Sequence, residues 1–242
     1  MARMLIPLLL VALAFPALAN EALIRKVVEA KLGGTKVDGV QPGPMGLFEV
    51  RFRSSRGPQI IYTDATATYI FSGQIFEAKT DRNLTDERLQ KLLAIKFEAL
   101  PLDLAVKVVR GAGKRTLAVF SDPYCPYCKR FEAELAKLDN VTIYYYMYPV
   151  IRPELADHSK SAWCSKDRVK AWLDLAQNHR QPSAPANCAN PIDKVLELGR
   201  SLDVGSTPTV FVANGERLPA GMSADRLSAV LDTVHAELAK AK

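Results

Sequence analysis

The chain has 242 residues, 48% of them hydrophobic, with 32 Lys and Arg against 26 Asp and Glu, a formal charge of +6. That length allows one or two packed domains, and four cysteines are too few for a disulfide-stapled scaffold. The basic excess is spread along the chain. Its densest run, "RFRSSR" at 51–56, alternates like an exposed strand face, so nucleic acid is excluded as a partner.

Arg3 is followed by the apolar run "LIPLLLVALAFP" and by "ALA" at 17–19. A basic start, a short apolar core and small residues at the −3 and −1 positions predict a secretory signal peptide over 1–19, cleaved near Ala19. The run is too short to span a bilayer, which takes roughly 20 apolar residues. No later stretch is long and apolar enough either, so the mature chain is expected to be exported and soluble. Residues 21–32 predict a helix on the recurrence of Leu23, Val27, Val28 and Ala30, ended by Gly33-Gly34. "GLFEVRFRS", "PQIIYTDA" and "TYIFSGQIFEAK" follow, separated by Gly, Pro and Ser signals. They predict a small antiparallel sheet with one helix, a domain over 20–80. So small a core is marginal, and dimerisation would cover the open sheet edge. Residues 81–104 predict a helix with Thr85 as N-cap, Asp86 and Glu87 in its first turn, a stripe of Leu89, Leu92, Leu93 and Phe97, and a stop at Pro101. It is either an ordinary packed helix or a semi-rigid arm between domains.

From 105 to 242 the pattern is α/β. "RTLAVFS" (115–121) holds the continuous apolar run "LAVF", as in a strand buried on both faces. Cys128, Phe131, Leu135 and Leu138 then share a helical face, and "VTIYYYMYPV" is a second buried strand. The resulting βαβ unit puts "DPYCPYC" at the carboxyl end of its first strand, where open α/β sheets hold their sites. A helical stretch over 154–178, a hairpin at Asn214-Gly215 and a final helix striped by Leu227, Val230, Leu231, Val234 and Leu238 complete the chain.

Pro126 fixes the geometry of the pair. Proline suits the first helical position, which makes Cys125 the N-cap and sets Cys128 one turn in, on the buried stripe. The helix dipole and unpaired N–H groups at Cys125 favour a thiolate, the attacking species in disulfide exchange, and leave Cys128 as the resolving thiol. Zinc would need two more ligands. Cys164 and Cys188 are single, and His158, His179 and His235 have no ligand spacing, so no metal is expected. A purely structural Cys125–Cys128 bridge would close too small a loop to stabilise much. Redox exchange is the remaining reading, with no cofactor. In "GSTPTVF" the Thr207–Pro208 bond precedes a buried strand, and its place after the cysteine unit predicts a cis bond. Such a turn would leave the Thr207 backbone free to pair with an extended peptide.

Together these residues resemble the thioredoxin fold. "VFSDPYCPYCKRFEAEL", "AWCSKD", "NC" at 187–188 and "GSTPTVF" resemble the bacterial periplasmic disulfide isomerases of the DsbC/DsbG family over nearly the whole mature length. The resemblance implies an α/β thioredoxin-like catalytic domain, a small α+β (cystatin-like) N-terminal dimerisation domain and a linker helix, in a V-shaped homodimer. It also implies a periplasmic location, a membrane reductase of the DsbD type as partner, and exported proteins with non-native disulfides as clients. "DPYCPYC" is closer to the DsbG branch. Cys164 and Cys188 match the second, structural disulfide of the DsbC branch and outweigh one dipeptide. The implied activity is a thiol:disulfide oxidoreductase acting as protein disulfide isomerase. Cys125 is its nucleophile and Cys128 the resolving thiol, while Thr207, Pro208, Pro126 and Tyr127 meet the client. The alternatives are a DsbG-like reductase of sulfenylated cysteines and a dimeric chaperone that needs no redox chemistry. Thioredoxin keeps a buried acid in the strand under its cysteines. Here that stretch is "LAVF", so the proton of Cys128 is left to water, Asp122 or another group.

Overall fold

The structure, a computed structural model, describes residues 15–54, 57–219 and 221–241. The charged start and most of the apolar core of the expected signal peptide lie outside the described residues, as do two residues of "RFRSSR". The chain divides into two compact units, Met1–Leu89 and Gln90–Lys242.

In the first unit, helix α1 (Phe15–Lys31) precedes strands β1 (Val37–Pro42), β2 (Phe48–Ser54), β3 (Gly57–Thr63) and β4 (Ile70–Phe71), a fully antiparallel sheet in that order. Ile24 and Val28, one turn apart, are wholly buried against Val37, Val50 and Ile61. Leu23 and Ala30 are exposed, so the buried face is narrower than the expected stripe. Gly34 closes α1 by donating to the Glu29 carbonyl (2.8 Å) with both Gly33 and Gly34 at positive φ, a Schellman-type end that a Cβ would strain. β1, "VDGVQP", has poor strand propensity and is held by its pairing with β2 from Val37 opposite Phe52 to Pro42 opposite Phe48. The third expected strand breaks near Gly73: β4 stays on β3, while β5 (Phe76–Glu77) pairs with β6 (Arg82–Asn83).

Helix α2 (Leu84–Leu92) is shorter than the helix expected over 81–104, and two 3-10 turns, Phe97–Ala99 and Leu102–Leu104, follow it. The backbone leaves the helix because the Ile95 N–H donates to the Gly215 carbonyl (2.9 Å). The cap is Asn83, whose Oδ1 accepts the Asp86 N–H (3.0 Å). Thr85 is buried instead, its hydroxyl 2.7 Å from that of Tyr62 and accepting the Ile75 N–H.

The second unit holds β7 (Val106–Arg110), β8 (Arg115–Ser121), α3 (Pro126–Leu135), β9 (Val141–Met147), α4 (Ala156–Cys164), α5 (Arg168–Asn178), α6 (Ile192–Ser201), β10 (Thr209–Val212), β11 (Arg217–Leu218) and α7 (Ala224–Lys240). The sheet order is β11-β10-β8-β9-β7, with β8 and β9 parallel and the other pairs antiparallel. Along β8, Leu117 and Val119 face one hydrophobic cluster, while Ala118 and Phe120 face the other. That two-sided burial is why the strand reads as an unbroken apolar run. The stretch expected as one helix over 154–178 is two, because Asp167 starts a new one by accepting the Lys170 N–H (2.9 Å). β7 and α6 were not anticipated. The hairpin uses Gly215 at φ +87 after a turn in which its N–H donates to the Val212 carbonyl, a longer connection than a two-residue turn. A Cβ at Gly215 would lie 1.8 Å from the Ile95 carbonyl oxygen. Among the described residues no helix is long and apolar enough to cross a membrane.

Candidate active site

β8 delivers the chain to the site. Directly after it, Asp122 is fully buried and its carboxylate organises the surrounding backbone. Oδ1 accepts the Tyr124 N–H (2.8 Å), and Oδ2 accepts the N–H groups of Val150 and Ile151 (2.7 Å each). One side chain thus joins the loop before α3 to the loop after β9.

Cys125 is the N-cap of α3, in extended conformation, with Pro126 in the first turn. Its thiol makes no capping bond. It points to the opposite loop and donates to the Thr207 carbonyl (3.3 Å). The Thr207–Pro208 peptide is cis, the conformation the motif predicts. Sheet register explains the meeting: Thr209 lies opposite Phe120 on β8, so the residues just before β10 face those just after β8. Both thiols are free and both are buried, Cys125 included, although the sequence suggested cover for Cys128 alone.

Cys128 differs from Cys125 in its surroundings. The Asp122 N–H donates to its Sγ (3.4 Å). Burial pushes its thiol up to about 12, against the pull of that N–H, and the neighbouring Cys125 adds to the rise. The buried hydroxyls of Ser121 and Thr207 are close enough to temper the rise, but neither makes a well-formed hydrogen bond. Tyr127 is 65% exposed, with the Arg130 guanidinium over its ring at 4.5 Å, and Pro126 is exposed beside it.

Cys164 and Cys188 are disulfide-bonded, with a Cα–Cα distance of 5.8 Å. The bridge ties the end of α4 to the segment before α6.

Two features had no reading in the sequence. β8 carries no carboxylate, but α3 does: Glu132, one turn beyond Cys128, is buried. Its Oε2 accepts the Tyr145 hydroxyl (2.9 Å), and its Oε1 has no hydrogen-bond partner. Burial pushes this carboxyl up to about 7, with the Tyr145 hydroxyl and the Arg110 charge pulling the other way. Its signal was the i+4 spacing from Cys128, on the same stripe as Phe131 and Leu135. The second feature surrounds Tyr124. Its hydroxyl bonds to His158 Nδ1, the His179 ring lies 5.6 Å away, and the Arg152 guanidinium lies 5.9 Å over its face. Among the described residues no group of acidic, Cys or His side chains could hold a metal ion.

Comparisons with known proteins agree across both units. The family described as the disulfide bond isomerase protein N-terminal domain matches residues 15–86, and the thioredoxin-like domain family matches 102–235. The probable thiol:disulfide interchange protein DsbC of Bordetella pertussis is 41% identical over 199 residues, covering 82% of this chain and 69% of that protein. The thiol:disulfide interchange protein DsbC of Escherichia coli K12 is 27% identical over 222 residues, 89% of each chain. The crystal structure of a disulfide interchange protein from Neisseria gonorrhoeae superposes with a TM-score of 0.52 at 37% identity, over 55% of this chain and 97% of that one.

Proposed function

Since the chain belongs to the DsbC family of thiol:disulfide interchange proteins, we propose that it reshuffles wrong disulfides in exported proteins, in the periplasm, through Cys125 and Cys128. The family makes it a thiol:disulfide oxidoreductase with a thioredoxin-like domain. The assignment of roles rests on one observation: Cys125 caps α3 under the Thr207 carbonyl, while Cys128 lies behind it with its thiol pushed up to about 12.

The Cys125 thiolate attacks one sulfur of a client disulfide. A Cys125–client disulfide forms, and the other client sulfur leaves as a thiolate that takes up a proton. Two exits follow. A second client thiolate attacks the client sulfur held by Cys125, which forms a new client disulfide and returns the Cys125 thiolate with no net electron transfer. Alternatively, Cys128 loses its proton and attacks Cys125, which releases a client thiol and leaves a Cys125–Cys128 disulfide. The client gains two electrons in that exit, and a membrane reductase of the DsbD type must restore the dithiol. Burial disfavours the Cys128 thiolate that the second exit needs, whereas the first exit needs no ionisation of Cys128. Kinship to proteins named DsbC supports isomerisation over the DsbG-like alternative.

Thr207, Pro208, Pro126 and Tyr127 hold the client chain in this reading, and Cys164–Cys188 is structural. The N-terminal unit forms a homodimer. Its edge strand β4 exposes Ile70 and Phe71, with Tyr69, Phe76 and Met45 also exposed, and a second copy would cover them. The leader over 1–19 would direct export and be removed near Ala19.

The test is recovery of activity from a scrambled multi-disulfide substrate by catalytic amounts of reduced protein. Wild type should restore the substrate, Cys125→Ser should not, and Cys128→Ser should keep part of the activity because client thiols can resolve the adduct. Wild type that fails here but reduces sulfenic acids would overturn isomerisation in favour of a DsbG-like reductase. Full recovery with Cys125→Ser would mean a chaperone.

A further inference from the structure

A cleft of about 440 Å³ opens on the α3 face beside the dithiol, lined by Tyr124, Pro126, Lys129, Arg130, Ala133 and His179. Tyr124 and Pro126 are the two chain neighbours of Cys125, so the cleft begins one residue from the nucleophile, whose sulfur is turned to Thr207. Its lining combines ring, proline and alanine surface with two basic side chains. Lys129 and Arg130 are exposed one turn into α3, and the Arg152 guanidinium lies over the Tyr124 ring. None of the lining residues is acidic, and among the described residues Lys129, Arg130 and Arg152 have no carboxylate partner. His179 reaches the cleft from another element: it ends α5 in the left-handed region (φ 52), which turns its ring onto Tyr124. For a residue without the freedom of glycine that conformation is uncommon.

We infer that this cleft is a client subsite that takes an acidic side chain flanking the cysteine under attack. The inference rests on the proposed chemistry at Cys125. Charge complementarity picks the ligand, because two cations without a carboxylate partner, beside ring, proline and alanine surface, attract a carboxylate carried on a short aliphatic stem. Length sets the reach. Pro126 to Ala133 spans about 10 Å of helix at roughly 1.5 Å per residue, or about three residues of extended client at roughly 3.3 Å each. The carboxylate therefore sits within about three positions of the cysteine. Thr207 would hold the client backbone while this cleft selects among flanking sequences.

The experiment uses reduced full-length protein and peptides that carry one intermolecular disulfide and differ only at the second position past the cysteine: Asp, Asn or Lys. Exchange rates are divided by those with dithiothreitol, which removes the effect of each sequence on its own disulfide. The Asp peptide should react about tenfold faster than the Lys peptide at low ionic strength, with Asn between them. The ratio should collapse towards unity in about 0.5 M salt and invert in K129E/R130E. The uncharged pair K129Q/R130Q should bring it to unity, and circular dichroism checks that both variants are folded. Equal normalised rates for the three peptides, or a preference that survives in both variants, would overturn the subsite. No exchange with any peptide would instead sink the proposed chemistry at Cys125.

Discussion

Glu132 makes stability fall with pH over a defined window. The residue is 1% exposed, and its carboxyl has one hydrogen-bond donor, the Tyr145 hydroxyl, for its two oxygens. Burial raises it from 4.5 to about 7, with Arg110 the charge that opposes this. Between those values the folded chain keeps a proton that the unfolded chain has lost. The unfolded state binds fewer protons, so stability decreases as pH rises. The contribution is fully present below about 4.5 and is lost as pH climbs through about 7. A shift of that size corresponds to about 3 kcal/mol. Glu132→Gln keeps the shape and an acceptor for Tyr145 but cannot ionise. Urea titrations of both proteins at pH 4.5, 6 and 8 should show near-equal stability at the lowest pH, with Gln ahead by about 3 kcal/mol at the highest. In thermal melts that is about 6–12 °C for a unit of this size. A difference that stays constant with pH, or a wild type that is the more stable at pH 8, would refute the reasoning.

Removing the second disulfide with C164A/C188A should cost about 3 kcal/mol by the chain-entropy argument, read by urea unfolding, while exchange through Cys125 persists. Loss of exchange in the folded variant would contradict a structural role. Asp122→Asn should destabilise the second unit by about 2 kcal/mol, because the amide NH2 replaces one of the two oxygens that accept backbone N–H groups from Tyr124, Val150 and Ile151; an unchanged denaturation midpoint would count against that clamp. Phe71→Asp puts a charge on the exposed β4 edge, so sedimentation should give half the wild-type mass, and an unaltered mass would place the dimer contact elsewhere.

The parts of this molecule that were legible in sequence are those whose cause is local. Pro126 after Cys125 dictates a helix start, and α3 begins there. Seven apolar-rich residues in a row dictate a strand buried on both faces, and β8 is one. What escaped depends on partners distant in the chain. β1 has an aspartate, a glycine and a proline among six residues and is a strand because β2 pairs with it. The helix expected over 81–104 ends at Leu92 because a hairpin more than a hundred residues later takes up the Ile95 N–H. The burial of Asp122 and Glu132 escaped for a different reason. Both carry charges, and charged residues are presumed exposed, yet the geometry that buries them was available: one follows a buried strand directly, and the other lies at i+4 from a buried cysteine. The dithiol is thus a local motif, but its surroundings are a tertiary construction. A carboxylate after β8 joins two loops, a cis turn before β10 covers the thiols, and a left-handed residue ending α5 completes the basic cleft. Substitutions of the motif should therefore abolish exchange outright, whereas substitutions in those distant elements should change which disulfides are attacked and how long the mixed disulfide lasts.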